Sequence, residues 1–419
     1  MSAVERAIVV GLIRSGQNRE QVNEYLDELE LLADTAGAEV LERVIQQRYK
    51  IDSATLMGRG KAAELASLVK ILDADLIIFD DDLSPAQAKN IESLCGVKIV
   101  DRSGLILDIF ARNARTREAR IQVELAQLKY LVPRLTRRWT HLSRQVGGIG
   151  VRGPGEMQLE VDRRAVRKRI ATLEYHLAKI ANQRTIRRKG RAELVKAALV
   201  GYTNVGKSTL LNALTHADAF VENRLFATLD PTIRNLTLSD HQRILLVDTV
   251  GFIRKLPHHL IASFKSTLEE AADTDLLLHV IDSAHPHYRD QMETVESVLK
   301  ELGLDQKPVI KVFNKIDLIP DPAILSELRM REGPCVCVSA QRGIFLNELK
   351  EAIRQYAESK STSLQIVLTP DRFGLIGRLC DLADITRISY ENSKAIIDLR
   401  ATPVNAERIR GLCHAHPGH

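Results

Sequence analysis

Eight residues constrain this 419-residue chain more than any others: Gly201-Tyr202-Thr203-Asn204-Val205-Gly206-Lys207-Ser208, followed by Thr209. They spell G-x-x-x-x-G-K-S. The apolar run AALV precedes them, and the helix-like STLLNALTHA follows. A glycine-rich turn between a strand and a helix aims backbone N–H groups at a phosphate, and the helix N-terminus adds partial positive charge. Lys207 is placed to reach the terminal phosphates, and the Ser208 hydroxyl to bind Mg²⁺. A strand–loop–helix of this kind implies an open, doubly wound α/β sheet.

Three further motifs close apolar runs downstream. Asp248-Thr249-Val250-Gly251 ends ILLVD. There Asp248 sits beside the metal through water, and the Gly251 N–H faces the γ-phosphate. Asn314-Lys315-Ile316-Asp317 ends PVIKVFN. Its Asp317 carboxylate can accept from guanine N1–H and N2–H₂, a donor pair adenine lacks, and leaving that charge unpaired is costly. Val338-Ser339-Ala340 ends CVCVS and supports the base from its other side. Between the first two motifs lies Phe226-Ala227-Thr228-Leu229-Asp230, with Thr228 as the candidate switch threonine. Four motifs in this order specify a Mg²⁺-dependent GTPase domain that takes GTP and GDP. Lys207, Thr228 and Gly251 are its candidate catalytic groups, and Ser208 and Thr228 its candidate metal ligands. Phe252 stands where many GTPases carry a glutamine that orients the attacking water. A phenyl ring cannot make that hydrogen bond, so slow intrinsic hydrolysis is expected, completed by a partner or by another element of the chain. Asn204 leaves two readings open: a ligand for K⁺, or a cap on the loop's own backbone.

Composition narrows the setting. No run of about 18 apolar residues predicts a membrane span. The apolar run near the N-terminus follows Glu5 and reads as a strand, not a signal peptide. Five scattered cysteines point to a reducing cytoplasm. The net charge of +5 hides an asymmetry. From Lys129 to Arg191 there are 17 Lys or Arg against 4 Asp or Glu, a net of +13, which leaves −8 for the rest. Such an arm is a candidate polyanion-binding surface.

The chain reads as four segments, α/β throughout its larger domains. Residues 1–108 alternate strand-like runs (AIVVGLI, ADLIIFD, VKIV) with helical ones and suggest a small α/β domain with a parallel sheet. Residues 109–195 hold two heptad-like stripes, Ile121/Leu125/Leu128/Val132 and Val166/Ile170/Leu173/Leu177/Ile180. They suggest a basic antiparallel helical hairpin, with Pro133 interrupting or ending the first helix. Residues 196–358 contain the GTPase motifs. Residues 361–419 read β-α-β-β-α, a small α+β domain of ferredoxin-like pattern.

Between the two helical stripes lies RQVGGIGVRGPGEMQ, in which Gly148, Gly150 and Gly153 spell G-x-G-x-x-G. That spacing marks a dinucleotide site only between a strand and a helix. Here LTRRWTHLSRQ precedes it and Pro154 follows. The stretch reads instead as a tip joining two helices, with Arg144, Arg152, Arg163 and Arg164 as candidate RNA contacts. A plain connector is the alternative.

YTNVGKSTL, FATLDPT, DTVGFIRKLP and NKID together resemble the Obg–HflX group of translation GTPases. ARTREARIQVELAQLKYLVPRL and LSRQVGGIGVRGPGEMQLEVDRR narrow the resemblance to the HflX family, over about residues 1 to 360. Val146, Val151, Met157 and Val161 stand where that family commonly has Gly or Thr. The resemblance implies a monomeric cytoplasmic GTPase that binds the large ribosomal subunit and its rRNA and splits stalled ribosomes, notably in heat stress. It fits equally an assembly or anti-association factor that binds without splitting. The family's N-terminal domain has been linked to ATP, and GRGK at 58–61 is the only glycine-lysine hint of that here.

Overall fold

The computed structural model describes residues 4–135, 154–188, 195–215, 225–239, 242–255, 270–391 and 393–414. They form two compact units. The first comprises described residues up to Ile180, together with 225–229 and Lys255; the second comprises the others.

The N-terminal unit is built on a four-stranded sheet of β1 (Glu5–Ile13), β2 (Ala38–Gln47), β3 (Leu76–Phe79) and β4 (Lys98–Asp101). The order is β2-β1-β3-β4, and every pairing is parallel. Ala7, Ile8 and Val9 of β1 are wholly buried, as a strand covered on both faces requires. The return connections are α1 (Arg19–Ala36), α2 (Arg59–Leu72) and α3 (Pro85–Cys95); α4 (Arg102–Asn113) follows β4. Local chemistry sets the helix starts. Asn18 with Gln21, and Ser84 with Gln87, form reciprocal capping boxes on α1 and α3. Ile8, Val10, Met57, Leu65, Ile77, Phe79 and Ile91 form one core. Full burial of each aliphatic side chain there contributes about 1.5–3 kcal/mol. Strand order reverses between β1 and β3, so their carboxyl ends, leading to Arg14 and to Asp80-Asp81, flank the crevice where open α/β sheets present ligands. The GRGK stretch is the start of α2. Gly58 is its N-cap, and Lys61 is paired with Glu64 at 2.7 Å.

Two long helices follow, α5 (Arg117–Leu135) and α6 (Pro154–Arg188). Pro133 does not stop α5, which runs two residues further. Arg169 binds Glu124 through two hydrogen bonds of 2.7 and 2.9 Å, and Lys129 pairs with Glu174 at 2.8 Å. Arg163 is half-buried and Arg164 exposed. Arg144, Arg152 and the rest of the glycine-rich stretch up to Gly153 lie outside the described residues, while its last five residues, from Pro154, open α6.

In the second unit, six strands take the order β10-β9-β8-β5-β7-β6. They are β5 (Lys196–Gly201), β6 (Thr232–Ser239), β7 (Gln242–Asp248), β8 (Leu276–Asp282), β9 (Val309–Asn314) and β10 (Cys335–Cys337). All pairings are parallel except β6 with β7. The helix opened by the glycine-rich loop is α7 (Lys207–Thr215). The chain ends with β11 (Thr362–Leu368), a helix (Leu375–Leu382), β12 (Asp384–Glu391), β13 (Lys394–Ala401) and a helix (Pro403–His414). This is the β-α-β-β-α order the sequence suggests. Its antiparallel order β11-β13-β12 is that of three ferredoxin-like strands, with no fourth among the described residues. Leu379, Ala395, Ile397 and Ile409 fill its own core. No helix among the described residues is long and apolar enough to cross a membrane.

Candidate nucleotide-binding site

Every described G-motif of the second unit falls at the carboxyl end of a strand. Gly201 ends β5, Asp248 ends β7, Asn314 ends β9, and Val338 follows β10. Four parallel strands of one sheet, with β8 lying between β9 and β5, thus deliver four loops to one edge.

Asn314 joins three of these loops. Its Nδ2 donates to the Val205 carbonyl at 2.8 Å, and its Oδ1 accepts from the Ala340 N–H at 2.9 Å. The phosphate loop and both base-side loops are therefore fixed to one 2%-exposed side chain. A side chain at Gly206, whose φ is 91°, would strike that amide, so only glycine fits. Behind Asn314, Lys315 pairs with Asp282 at 2.7 Å. Asp317 lies in a single 3₁₀ turn, Ile316–Leu318. Its Oδ1 is buried and has no hydrogen-bond partner among the described residues. An unmet buried carboxylate oxygen is costly unless a ligand supplies the donor, which is what the N–H edge of guanine offers. Ser339 and Ala340 are buried beside it.

At the phosphate end, the Lys207 ammonium donates to the carbonyls of Gly201 (3.1 Å) and Tyr202 (2.6 Å). Burial lowers its pKa to about 8, opposed by the Asp248 carboxylate. The Ser208 hydroxyl donates to Asp248 Oδ2 at 2.6 Å. Both are hard oxygen donors of the kind Mg²⁺ takes, and an ion held there would neutralise phosphate charge. Thr249 is fully buried and donates to the Leu199 carbonyl at 2.6 Å. Asn204 is exposed with φ 60°, a left-handed conformation asparagine tolerates better than most residues.

Sequence reasoning missed what Phe252 does. It is paired with the phosphate loop like a strand. Its N–H donates to the Gly201 carbonyl at 3.0 Å, and its carbonyl accepts from the Thr203 N–H at 2.7 Å. Tyr202 Oη accepts from the Arg254 N–H at 2.8 Å. A Cβ on Gly251 would lie 2.8 Å from Thr203 Cα, so glycine is what permits this approach. The backbone, not the missing glutamine, engages the loop. Phe226, Ala227, Thr228 and Leu229 are placed differently: they belong to the N-terminal unit, where Phe226 is buried and Thr228 half-buried.

Comparison with known proteins agrees with this geometry. Residues 23–111 match the family "GTP-binding GTPase N-terminal", 113–191 "GTP-binding GTPase Middle Region", and 196–315 "50S ribosome-binding GTPase". GTPase HflX of Caldanaerobacter subterraneus is 50% identical over 410 residues, covering 97% of this chain and 94% of that protein. GTPase HflX of Escherichia coli is 41% identical over 420 residues, covering 99% and 97%. The chain belongs to the HflX family of GTPases. Among solved structures it is similar to the SsGBP–GDP complex, with 25% identity, a TM-score of 0.49, and coverage of 85% of this chain and 99% of that one. As an HflX-family protein it binds GTP and hydrolyses it, in a family of GTPases that uses Mg²⁺.

Proposed function

We propose that this protein is a GTP-switched factor that binds the large ribosomal subunit through the basic arm and drives apart the subunits of stalled or stressed ribosomes in the cytoplasm. The single observation that carries this reading is the pairing of a GTPase site with a segment of net charge +13 in a chain otherwise at −8. A polyanion the size of rRNA suits such an arm, and the match of residues 196–315 to the "50S ribosome-binding GTPase" family supports the same partner. In this reading Lys207 holds the β- and γ-phosphates. Thr228 and the Gly251 N–H sense the γ-phosphate, Ser208 and Thr228 hold Mg²⁺, and Asp317 selects guanine. GTP favours the ribosome-bound arrangement and hydrolysis releases it. Arg144, Arg152, Arg163 and Arg164 contact RNA.

The test adds the full-length protein, with a non-hydrolysable GTP analogue, to intact ribosomes and resolves them on sucrose gradients. A rise in free subunits is expected. Co-sedimentation with the large subunit and no such rise would instead establish an anti-association or assembly factor.

A further inference from the structure

Hydrogen bonds of two kinds lay the segment after Gly251 along the phosphate loop, and all their partners belong to the second unit. One kind joins backbone to backbone: the Phe252 N–H donates to the Gly201 carbonyl at 3.0 Å, and the Thr203 N–H to the Phe252 carbonyl at 2.7 Å. Those bonds ask nothing of the side chains. The other kind needs one. The Tyr202 hydroxyl oxygen accepts from the Arg254 N–H at 2.8 Å. Tyr202 is 7% exposed, so water competes little for that bond.

Tyr202 also meets the lysine of the loop. Its backbone carbonyl accepts from the Lys207 ammonium at 2.6 Å. The Gly201 carbonyl is shared, taking the same ammonium at 3.1 Å as well as the Phe252 N–H. A Cβ on Gly251 would lie 3.0 Å from that ammonium. The cation and the N–H donor assigned to the γ-phosphate therefore converge on one short piece of loop, and Tyr202 touches the elements that carry both.

We propose that Tyr202 is a positioning residue for GTP hydrolysis: its hydroxyl, acting through the Arg254 N–H, fixes where the Gly251 N–H stands relative to Lys207. The proposal rests on the reading of Gly251 as a γ-phosphate sensor. A donor aimed at developing phosphate charge accelerates a reaction by being in place beforehand. A segment without its anchor must instead be ordered in each turnover, at a cost in conformational entropy. The phenyl ring of Phe252 offers no hydrogen bond to this end, so the anchor falls to a side chain of the loop itself. Gly251 and Arg254 are at most about 11 Å apart along the chain, which leaves little slack between donor and anchor. The anchor can also be removed alone, because Tyr202→Phe keeps the ring, both backbone bonds and the carbonyl that takes Lys207.

Full-length wild type and Tyr202→Phe are compared by single-turnover GTP hydrolysis, by binding of GDP and of a non-hydrolysable GTP analogue, and by amide-resolved hydrogen exchange. In the wild type, replacing GDP by the analogue should change exchange over 248–254; no change there contradicts the γ-phosphate reading itself. With that change present, the single-turnover rate of Tyr202→Phe should fall about three- to tenfold, the size expected from one net hydrogen bond, with both affinities kept within about twofold. A rate that is unchanged or raised, or a fall matched by an equal loss of affinity for both nucleotides, overturns the proposal and leaves the γ-phosphate reading intact. The wild type supplies a check that does not depend on the variant folding. With the analogue bound, its Arg254 amide should exchange at least about tenfold more slowly than in an unstructured peptide; exchange as fast as in the peptide also overturns the proposal.

Discussion

Asn314 Nδ2 donates to the Val205 carbonyl at 2.8 Å, which ties the base-side motif to the phosphate loop. With its second bond to the Ala340 N–H, this amide is both donor and acceptor in a buried place. Asn314→Asp keeps the acceptor and loses the donor, leaving Val205 facing a carboxylate. We expect a loss of about 1–3 kcal/mol of stability, measurable by urea unfolding, and GTP affinity at least tenfold weaker. Unchanged affinity would show that the three loops do not depend on this side chain.

The unmet Asp317 oxygen gives a sharper test of base choice. Asp317→Asn places a donor opposite the guanine N–H edge. Losing hydrogen bonds to a charged acceptor costs about 1.5–3 kcal/mol, or roughly 10- to 150-fold in affinity. Competition binding should show GTP weakened by that factor with ATP hardly changed. If GTP binding is unaffected, Asp317 does not read the base.

Lys207 predicts a pH dependence. Its pKa is lowered to about 8 in the free chain, from 10.5 when exposed. Phosphate charge stabilises the protonated form, so binding takes up a proton where the free lysine is neutral. Affinity should therefore be flat below about pH 8 and fall as pH rises toward 10.5, by up to tenfold per unit. The sign for stability is opposite. Protonation of this buried base disfavours the free fold, so nucleotide-free stability should increase over the same window. Calorimetry near pH 9 in buffers of different ionisation enthalpy counts the proton; zero uptake would contradict the assignment.

Salt should report on the basic arm. Each phosphate neutralised contributes a log–log slope of about −0.7 to −0.9. If Arg164 makes one such contact, Arg164→Ala should flatten the slope by about that amount. Ribosome binding that ignores salt would remove the arm as the contact surface.

Much of this was legible in the sequence because motifs with fixed chemistry sit on strands with continuous apolar runs. AALV and ILLVD are largely buried strands, PVIKVFN is buried over its carboxyl half, and each ends where its motif begins. Strand β2 was not legible. It is an edge strand, and AEVLERVIQQ mixes charged and apolar residues because only part of it is covered. The backbone pairing of Phe252, and the placing of Phe226 in the N-terminal unit, depend on residues distant in sequence. Local pattern holds no record of them, and the phenylalanine at 252 pointed only to an absent glutamine.

Dissociation of intact ribosomes, followed by light scattering, bears most directly on the central proposal. Scattering should fall when the protein is added with a non-hydrolysable GTP analogue, fall little with GDP, and stay level with Lys207→Ala in either nucleotide. Scattering that stays level with the analogue, or falls equally with GDP, would contradict a GTP-switched splitting factor.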